Sequence, residues 1–146
     1  MVKVLLKKLS KSVKLPIYKT SGSSGLDIIA NIESEIEIKP GEKKIVPTGI
    51  SVAVPENYEI QIRPRSGLAA KHNLTVLNTP GTIDADYRGE IKIIIINHGQ
   101  EIYRIVNGER IAQMVLCPVV KAEFEEVETL PITKRGGGGF GSTGTI

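Results

Sequence analysis

The chain has 146 residues, a formal net charge of +3, 40% hydrophobic residues, 24% charged residues and a single cysteine. This length suits one domain with its own core, and the lone Cys117 excludes an internal disulfide framework and favours a reducing compartment. The positive charge is mild, and no apolar run approaches the roughly 20 residues of a membrane span, so we expect a cytoplasmic domain with no nucleic-acid or membrane partner.

Alternation of apolar and polar residues predicts strands in the first half of the chain. The stretches "EIEIKPG", Glu35 to Gly41, and "YEIQIRP", Tyr58 to Pro64, alternate as half-buried strands do. Between them, "KIVPTGISVAVP" predicts a longer strand in which Pro47 marks an edge or a bulge.

The one predicted helix is "SGLAAKH", Ser66 to His72, with Ser66 as its N-cap. Arg65 and Ser66 therefore stand where a strand ends and a helix begins. A guanidinium, a hydroxyl and free backbone N–H groups at such a junction suit a phosphate group. The alternative is an ordinary capped helix beside a solvated arginine, and this stretch alone leaves both open.

The segment "NTPGTIDADYRGE" is the densest in chemically useful side chains. Asp84 and Asp86 lie two residues apart, so on an extended backbone they share one face, while Tyr87 points the opposite way. Two acids on one face suit a general base, a divalent cation or a polar rim. Asn78 offers both donors and an acceptor with which the segment could read a nucleobase.

The second half of the chain predicts further strands. "EIKIIIIN", Glu90 to Asn97, begins by alternating and then becomes apolar on both faces, as a strand covered on both sides would. Asn107 and Gly108 predict a type I′ hairpin turn between "EIYRIV" and "ERIAQMV". "IAQMVLCPVVKAEFEEVE" predicts a long last strand with Pro118 at an edge or bulge. Many short antiparallel strands with one helix predict an all-β barrel or jelly roll, and apolar surface left on "KIIII" favours an oligomer.

Three isolated polar residues and a glycine-rich tail complete the candidates. Asp27 follows a Gly/Ser turn, and Arg110 and Gln113 follow a tight turn; each could equally be structural. The tail "RGGGGFGSTGTI" contains a match to G-x-G-x-x-G, but no helix or second strand can follow it, so a dinucleotide site is rejected.

In order and spacing, the stretches "SGLDIIA", "PRSGLAAK", "GTIDADYRGE", "GERIAQMV" and "RGGGGFGSTG" resemble the five motifs of the trimeric dUTPases. The resemblance runs from about Ser21 to Gly144. It implies a jelly-roll homotrimer with three active sites at subunit interfaces, hydrolysis of dUTP to dUMP and pyrophosphate, and a requirement for Mg²⁺. It also implies a jelly-roll domain over 1–130 and a flexible lid over 131–146 that covers a neighbouring subunit's site.

The same resemblance assigns roles around the nucleoside. Asp84 matches the base that activates the water attacking the α-phosphorus and orients the sugar 3′-hydroxyl. Tyr87 matches the ring under the deoxyribose that excludes a 2′-hydroxyl. The residues matching the wall that reads uracil are Asn78, Thr82, Ile83 and Lys92.

For the phosphates, the resemblance implies contacts from Arg65, Ser66, Gly67 and Gln113, contributed in part by a neighbouring subunit. Asp27 would hold Mg²⁺ through water, with the phosphates supplying most of the metal's ligands. In the tail, Phe140 would stack on the uracil. The phosphates would be contacted by Arg135, Ser142 and Thr143, and Gly141 would let the backbone approach them.

Two rival functions stay open. A dCTP deaminase, or a bifunctional deaminase and dUTPase, shares the jelly roll but would need a glutamate base and a different pattern in place of "IDADYRGE". A non-enzymatic trimer with a regulatory or structural role could dispense with Asp84 and the glycine-rich tail, and both are present.

Overall fold

A computed structural model describes residues 1–139. This part of the chain is almost entirely β-structure with one short helix, α1. No helix within it has the length and apolarity required to cross a membrane. The elements are β1 (Leu5–Lys8), β2 (Leu26–Ile29), β3 (Ile36–Ile38), β4 (Lys43–Ala53), β5 (Tyr58–Arg63), α1 (Ser66–His72), β6 (Leu74–Val76), β7 (Gly81–Ile83), β8 (Glu90–Asn97), β9 (Tyr103–Ile105) and β10 (Arg110–Pro118).

The strands form two four-stranded antiparallel sheets and a small two-stranded one. The first sheet has the order β1-β4-β8-β6, the second has the order β2-β10-β5-β7, and β3 pairs with β9. Strands that are neighbours in a sheet are distant in sequence, as in β10 with β2, so the chain crosses repeatedly between the sheets. This confirms the predicted all-β jelly-roll fold.

The alternation seen in the sequence builds the core between the two sheets. On β8, Ile91, Ile93 and Ile95 are all at most 1% exposed, while Lys92 between them faces solvent. From the other sheet, β5 contributes its own alternating pair of buried isoleucines. Each fully buried aliphatic side chain of this size contributes about 1.5–3 kcal/mol, so this shared face fixes the register of both sheets.

The outer face of the first sheet is only partly covered within one chain. Ile94 and Ile96 on β8 are half-buried, and Ile45, the cross-strand partner of Ile94, is 61% exposed. The double cover predicted for β8 is therefore incomplete in this chain. An apolar stripe on a strand face is typical of a surface that meets another protein chain.

Pro47 introduces a bulge, as predicted. The pairing of β4 with β8 shifts register between Pro47 and Ser51. Inside the bulge Gly49 has a φ of +69°, which favours glycine. The hydroxyl of Thr48 donates to the carbonyl of Ile91 at 2.6 Å, which ties the bulge to the start of β8.

The predicted hairpin at Asn107 and Gly108 is wrong. β9 pairs with β3, whereas β10 pairs with β2 and β5, so the turn carries the chain from one sheet to another. The N–H of Glu109 donates to the carbonyl of Val106 at 3.2 Å. Only Gly108 has a positive φ, at +82°, which is the requirement of a type II turn, whereas type I′ needs two such residues.

Two other local expectations are corrected. The helix spans Ser66–His72 as predicted, but its N-cap is Arg65, whose carbonyl accepts from the N–H groups of Leu68 and Ala69 at 3.1 and 3.0 Å. Arg65, two residues after the end of β5, has an extended backbone with φ −91° and ψ 127°, so Ser66 is already the first helical residue. The last strand ends at Pro118, which lacks the N–H needed to continue the ladder, and not near residue 128.

Candidate active site

A cavity of about 250 Å³ lies between β7 and β8. In the part of the chain that the structure describes, β7 pairs with β5 and β8 pairs with β4 and β6, so the two strands belong to different sheets and leave a gap between them. The cavity is lined by Ile62, Val76, Asn78, Gly81, Thr82, Ile83, Asp84, Tyr87, Glu90, Lys92, Ile93 and Ile94. The six residues predicted to surround the nucleoside, Asn78, Thr82, Ile83, Asp84, Tyr87 and Lys92, are thus brought together.

The pairing of β7 with β5 positions the wall of the cavity around Gly81 and Asn78. Gly81 pairs with Ile62 of β5, and its hydrogen-bonded ladder fixes the backbone of Thr82 and Ile83 along the cavity. A Cβ on Gly81 would lie 3.1 Å from the Asn78 amide nitrogen and 3.4 Å from Cβ of Ile62. The small residue therefore lets the Asn78 amide fold over the strand, where its donors and acceptor are available to a planar polar ligand.

The acidic residues lie in a turn, which corrects the extended-backbone expectation. The N–H of Tyr87 donates to the carbonyl of Asp84 at 3.2 Å, and Arg88 donates to the carbonyl of Ala85 at 2.6 Å. Because the backbone turns here, Asp84 and Tyr87 line the same cavity, whereas Asp86 is not among its described lining residues. The two aspartates are therefore not an equivalent pair.

A second polar cluster forms where β2, β10 and the start of α1 meet. Asp27 accepts from Nε of Arg65 at 3.0 Å with one oxygen and from Nη1 of Arg110 at 2.9 Å with the other. Gln113, the cross-strand partner of Asp27, donates to the carbonyl of Pro64 at 3.0 Å. Ion pairs of this kind are stronger when partly shielded, and the Asp27 side chain is only 18% exposed. Asp27 thus holds two guanidinium groups together at this edge.

The first turn of α1 lies beside this cluster. Ser66 and Gly67 are exposed, and a Cβ on Gly67 would meet no atom within 4 Å. Nη1 of Arg65 also donates to the carbonyl of Arg110 at 3.0 Å, which fixes the guanidinium next to the helix start. The predicted phosphate-contacting residues therefore share one exposed edge.

Tyr103 borders the same edge without being a candidate base. Its hydroxyl donates to the carboxylate of Glu109, and burial, followed by that hydrogen bond, raises the pKa of Tyr103 above its usual range. The phenol therefore stays protonated at neutral pH and serves as a structural donor.

The two clusters are separate within one chain. β2 and β7 are the outer strands of the second sheet, with β10 and β5 between them. With strands about 4.8 Å apart, three steps across the sheet separate β2 from β7 by about 14 Å. The predicted phosphate-side residues Asp27, Arg65, Ser66, Gly67 and Gln113 are not among the described residues that line the cavity. Within this chain, the predicted nucleoside residues and the predicted phosphate residues therefore form two separate groups.

A magnesium ion at this edge would have to be held by a ligand and through water, not by a cage of side chains. Residues 1–139 contain no cluster of three or more His, Cys, Asp or Glu side chains that could hold a metal. Mg²⁺ in phosphate-handling sites keeps several waters and takes only one or two carboxylates besides the substrate's oxygens. Asp27, the carboxylate predicted for this role, has both oxygens engaged by arginines.

Arg110 is the contact that sequence reasoning did not assign. The residue was visible in "GERIAQM", but its link to Asp27 depends on the pairing of β10 with β2, which no local pattern signals. Arg135, in contrast, is exposed in the structure, and its Nε donates to the carbonyl of Gly138 at 2.7 Å. The other predicted tail contacts lie outside the described residues: Phe140, Gly141, Ser142 and Thr143.

Known proteins resemble this chain over almost its whole length. A sequence model of the family described as dUTPase matches residues 11–144. The deoxyuridine 5′-triphosphate nucleotidohydrolase of Gloeothece citriformis is 57% identical over 143 residues, covering 98% of this chain and 97% of that protein. A mutant dUTPase of Staphylococcus bacteriophage 80alpha with dUpNHpp superposes with a TM-score of 0.88 at 29% identity, covering 97% of this chain and 98% of that chain. A mutant dUTPase from phage phi11 of S. aureus, whose structure describes the coordination of a structural Mg(II) ion, superposes with a TM-score of 0.79 at 25% identity, covering 88% and 98%.

Proposed function

Because the chain belongs to the dUTPase family, we propose that it hydrolyses dUTP to dUMP and pyrophosphate. This activity would limit uracil incorporation into DNA and supply dUMP. The observation that carries the proposal is that Asn78, Asp84 and Tyr87, which are spread over a turn and a loop, line one cavity between β7 and β8. An amide, a carboxylate and an aromatic ring are the groups that a base, a lytic water and a sugar require.

Asp84 acts as the general base. Its carboxylate takes a proton from water as the water oxygen bonds to the α-phosphorus, and the bond from that phosphorus to the bridging oxygen breaks. The electron pair of the broken bond leaves with pyrophosphate. Asp84 is exposed at the cavity, and within residues 1–139 it forms no ion pair of the kind that engages Asp27. Its oxygens are therefore open to water and to the sugar 3′-hydroxyl.

The base and the sugar are recognised by shape and hydrogen bonding. The Asn78 side chain and the backbone at Thr82, Ile83 and Lys92 read uracil, because cytosine would present a donor where uracil presents a carbonyl. Mispairing of buried polar groups can separate substrates by on the order of 10⁴–10⁵. The Tyr87 ring forms the floor under the deoxyribose, where a 2′-hydroxyl would collide with it.

The triphosphate is held from the second cluster and the tail. Arg65, Ser66, Gly67 and Gln113 offer a guanidinium, a hydroxyl, backbone N–H groups and an amide to the leaving pyrophosphate, where negative charge builds up. Asp27 positions the Arg65 guanidinium, and each of its oxygens, although already accepting from an arginine, could accept a second hydrogen bond from a water of the Mg²⁺. When bound, Mg²⁺ neutralises phosphate charge. The tail groups Arg135, Phe140, Gly141, Ser142 and Thr143 complete the site.

We further propose a homotrimer in which each site combines the cavity of one subunit with the second cluster of another. The separation of the two groups of predicted residues within one chain supports this arrangement. So does the segment after β10, where Val120 and Phe124 are each 94% exposed. Such apolar side chains on a segment without secondary structure would be covered by a neighbouring subunit. Residues 1–130 then form the domain, and residues 131–146 form the lid over a neighbour's site.

Mixed trimers would reveal whether the sites are shared. We expect Asp84→Asn and Arg65→Met subunits to be weakly active alone and to regain activity when co-refolded, because about a quarter of sites would draw both intact residues from different chains. Differently tagged subunits, purified in tandem, isolate the mixed species. If each site lies within one chain, the mixture will have only the average activity of its two components.

The function itself is tested by a substrate panel. We expect pyrophosphate release from dUTP with Mg²⁺ to exceed that from dCTP, dTTP and UTP by on the order of 10²-fold or more. Ammonia release from dCTP would instead identify a deaminase, and no reaction with any of the four would favour a non-enzymatic trimer. The half-buried single thiol of Cys117 suits the reducing cytoplasm, where we propose the enzyme works.

A further inference from the structure

The Tyr87 ring rests directly on the backbone of Gly89. A Cβ built on Gly89 would lie 2.5 Å from Cζ and 2.9 Å from Cε2 of Tyr87, and real Cβ atoms do not approach other atoms so closely. The φ of Gly89 is not in the left-handed region. The position therefore needs glycine because of the ring above it and not because of its backbone conformation.

The next residue anchors the far end of the same ring. The Tyr87 hydroxyl donates to the backbone carbonyl of Glu90 at 2.9 Å. The Glu90 side chain in turn accepts from the N–H of Gly49, inside the β4 bulge, at 2.9 Å. Since the bulge is also tied to β8 through Thr48, the ring's anchor is connected to the rigid core.

We propose that Gly89 and Glu90 are positioning residues that seat the Tyr87 ring at the height required by a 2′-deoxyribose. Their proposed role is on the ring: Gly89 admits it, and the backbone carbonyl of Glu90, a residue that also lines the cavity, holds its hydroxyl. The inference rests on the proposed function, because the position of the Tyr87 ring matters only if the site binds a deoxyribose. Tyr87 is 42% exposed, so few packing contacts other than this seat can hold it.

The direct test is Gly89→Ala. The added methyl displaces the outer end of a side chain and meets no backbone among its nearest atoms, so the fold and its melting temperature should be preserved. The Tyr87 ring is displaced, so the enzyme binds the deoxyribose of dUTP less tightly. UTP, which already binds poorly, should lose less affinity. We expect the ratio of kcat/KM for dUTP to that for UTP to fall by about 10-fold or more, mainly through the KM for dUTP.

Three comparisons separate this effect from a general disturbance. Gly22→Ala, where an added Cβ meets nothing within 4 Å, should leave the ratio unchanged. In a Tyr87→Ala background, which should itself lower the ratio, Gly89→Ala should add less than about a 2-fold change, because the two residues act as one unit. Glu90→Ala should lower the ratio, whereas Glu90→Gln, which keeps an oxygen to accept the Gly49 N–H, should retain most of it.

The outcomes are distinguishable from those of the proposed function. If the wild-type chain hydrolyses dUTP and Tyr87→Ala lowers the ratio while Gly89→Ala and Glu90→Ala do not, the seat is overturned and the function stands. A wild-type chain inactive on dUTP overturns both. A crystal structure of Gly89→Ala in which the Tyr87 hydroxyl still donates to Glu90 overturns the seat without reference to activity. Should Gly89→Ala fail to fold, the Glu90 pair decides alone.

Discussion

Replacing Asp84 with asparagine should lower the rate of dUTP hydrolysis by on the order of 10²- to 10⁴-fold, the contribution of a well-positioned general base. The amide has nearly the shape of the carboxylate but cannot accept the proton from water. The turn at this position is held by the Asp84 backbone carbonyl, which accepts from the Tyr87 N–H. The substitution therefore leaves the turn intact, and dUTP should still bind.

Single-turnover kinetics with enzyme in excess measures the chemical step, and calorimetry with dUpNHpp measures binding without turnover. Asp86→Asn is the matched control, because Asp86 lies in the same turn, is also exposed, and is not among the described residues lining the cavity. We expect it to retain nearly full activity. An unchanged chemical step in Asp84→Asn, or an equal loss in Asp86→Asn, would rule out Asp84 as the base.

The fold was predictable where one local pattern decided the structure. Alternation located β5 and β8, because a strand with one buried face must place its apolar residues at every second position. The span of α1 was predicted from "SGLAAKH", although its N-cap is Arg65 and not Ser66. The same reasoning failed at Asn107 and Gly108, since two residues that suit a hairpin also suit any tight turn, and the partner of each strand is chosen by the whole sheet.

The same distinction between local patterns and long-range pairing holds for the candidate site. Residues close in sequence, from Asn78 to Lys92, were predicted together and line one cavity. The pairing of Asp27 with Arg110 could not be predicted, because it links residues 83 positions apart through the register of β2 on β10. The turn that separates Asp84 from Asp86 could not be predicted either, because two residues two positions apart share a face only on an extended backbone. Long-range register and local turns therefore set the limits of the sequence argument.

Removing residues 135–146 should leave a folded, assembled protein whose turnover of dUTP falls by about 10²-fold, the scale of a lost closing element that orients the substrate. The buried core extends only to Met114, and the last strand ends at Pro118, so the deleted residues follow the fold. The deletion removes Arg135 and Phe140, the proposed partners of the phosphates and the uracil. The proposed lid should therefore contribute to catalysis and not to folding.

Sedimentation equilibrium and thermal unfolding should give the same values for the truncated and full-length chains, while steady-state kinetics separates them. The two phenylalanines provide a sharper comparison. Phe140→Ala should raise the KM for dUTP without changing assembly, whereas Phe124→Ala, which alters a side chain that is 94% exposed in the single chain, should weaken subunit association instead. Full turnover by the truncated chain would exclude the lid from the mechanism, because deleting residues that contact the triphosphate should lower the reaction rate.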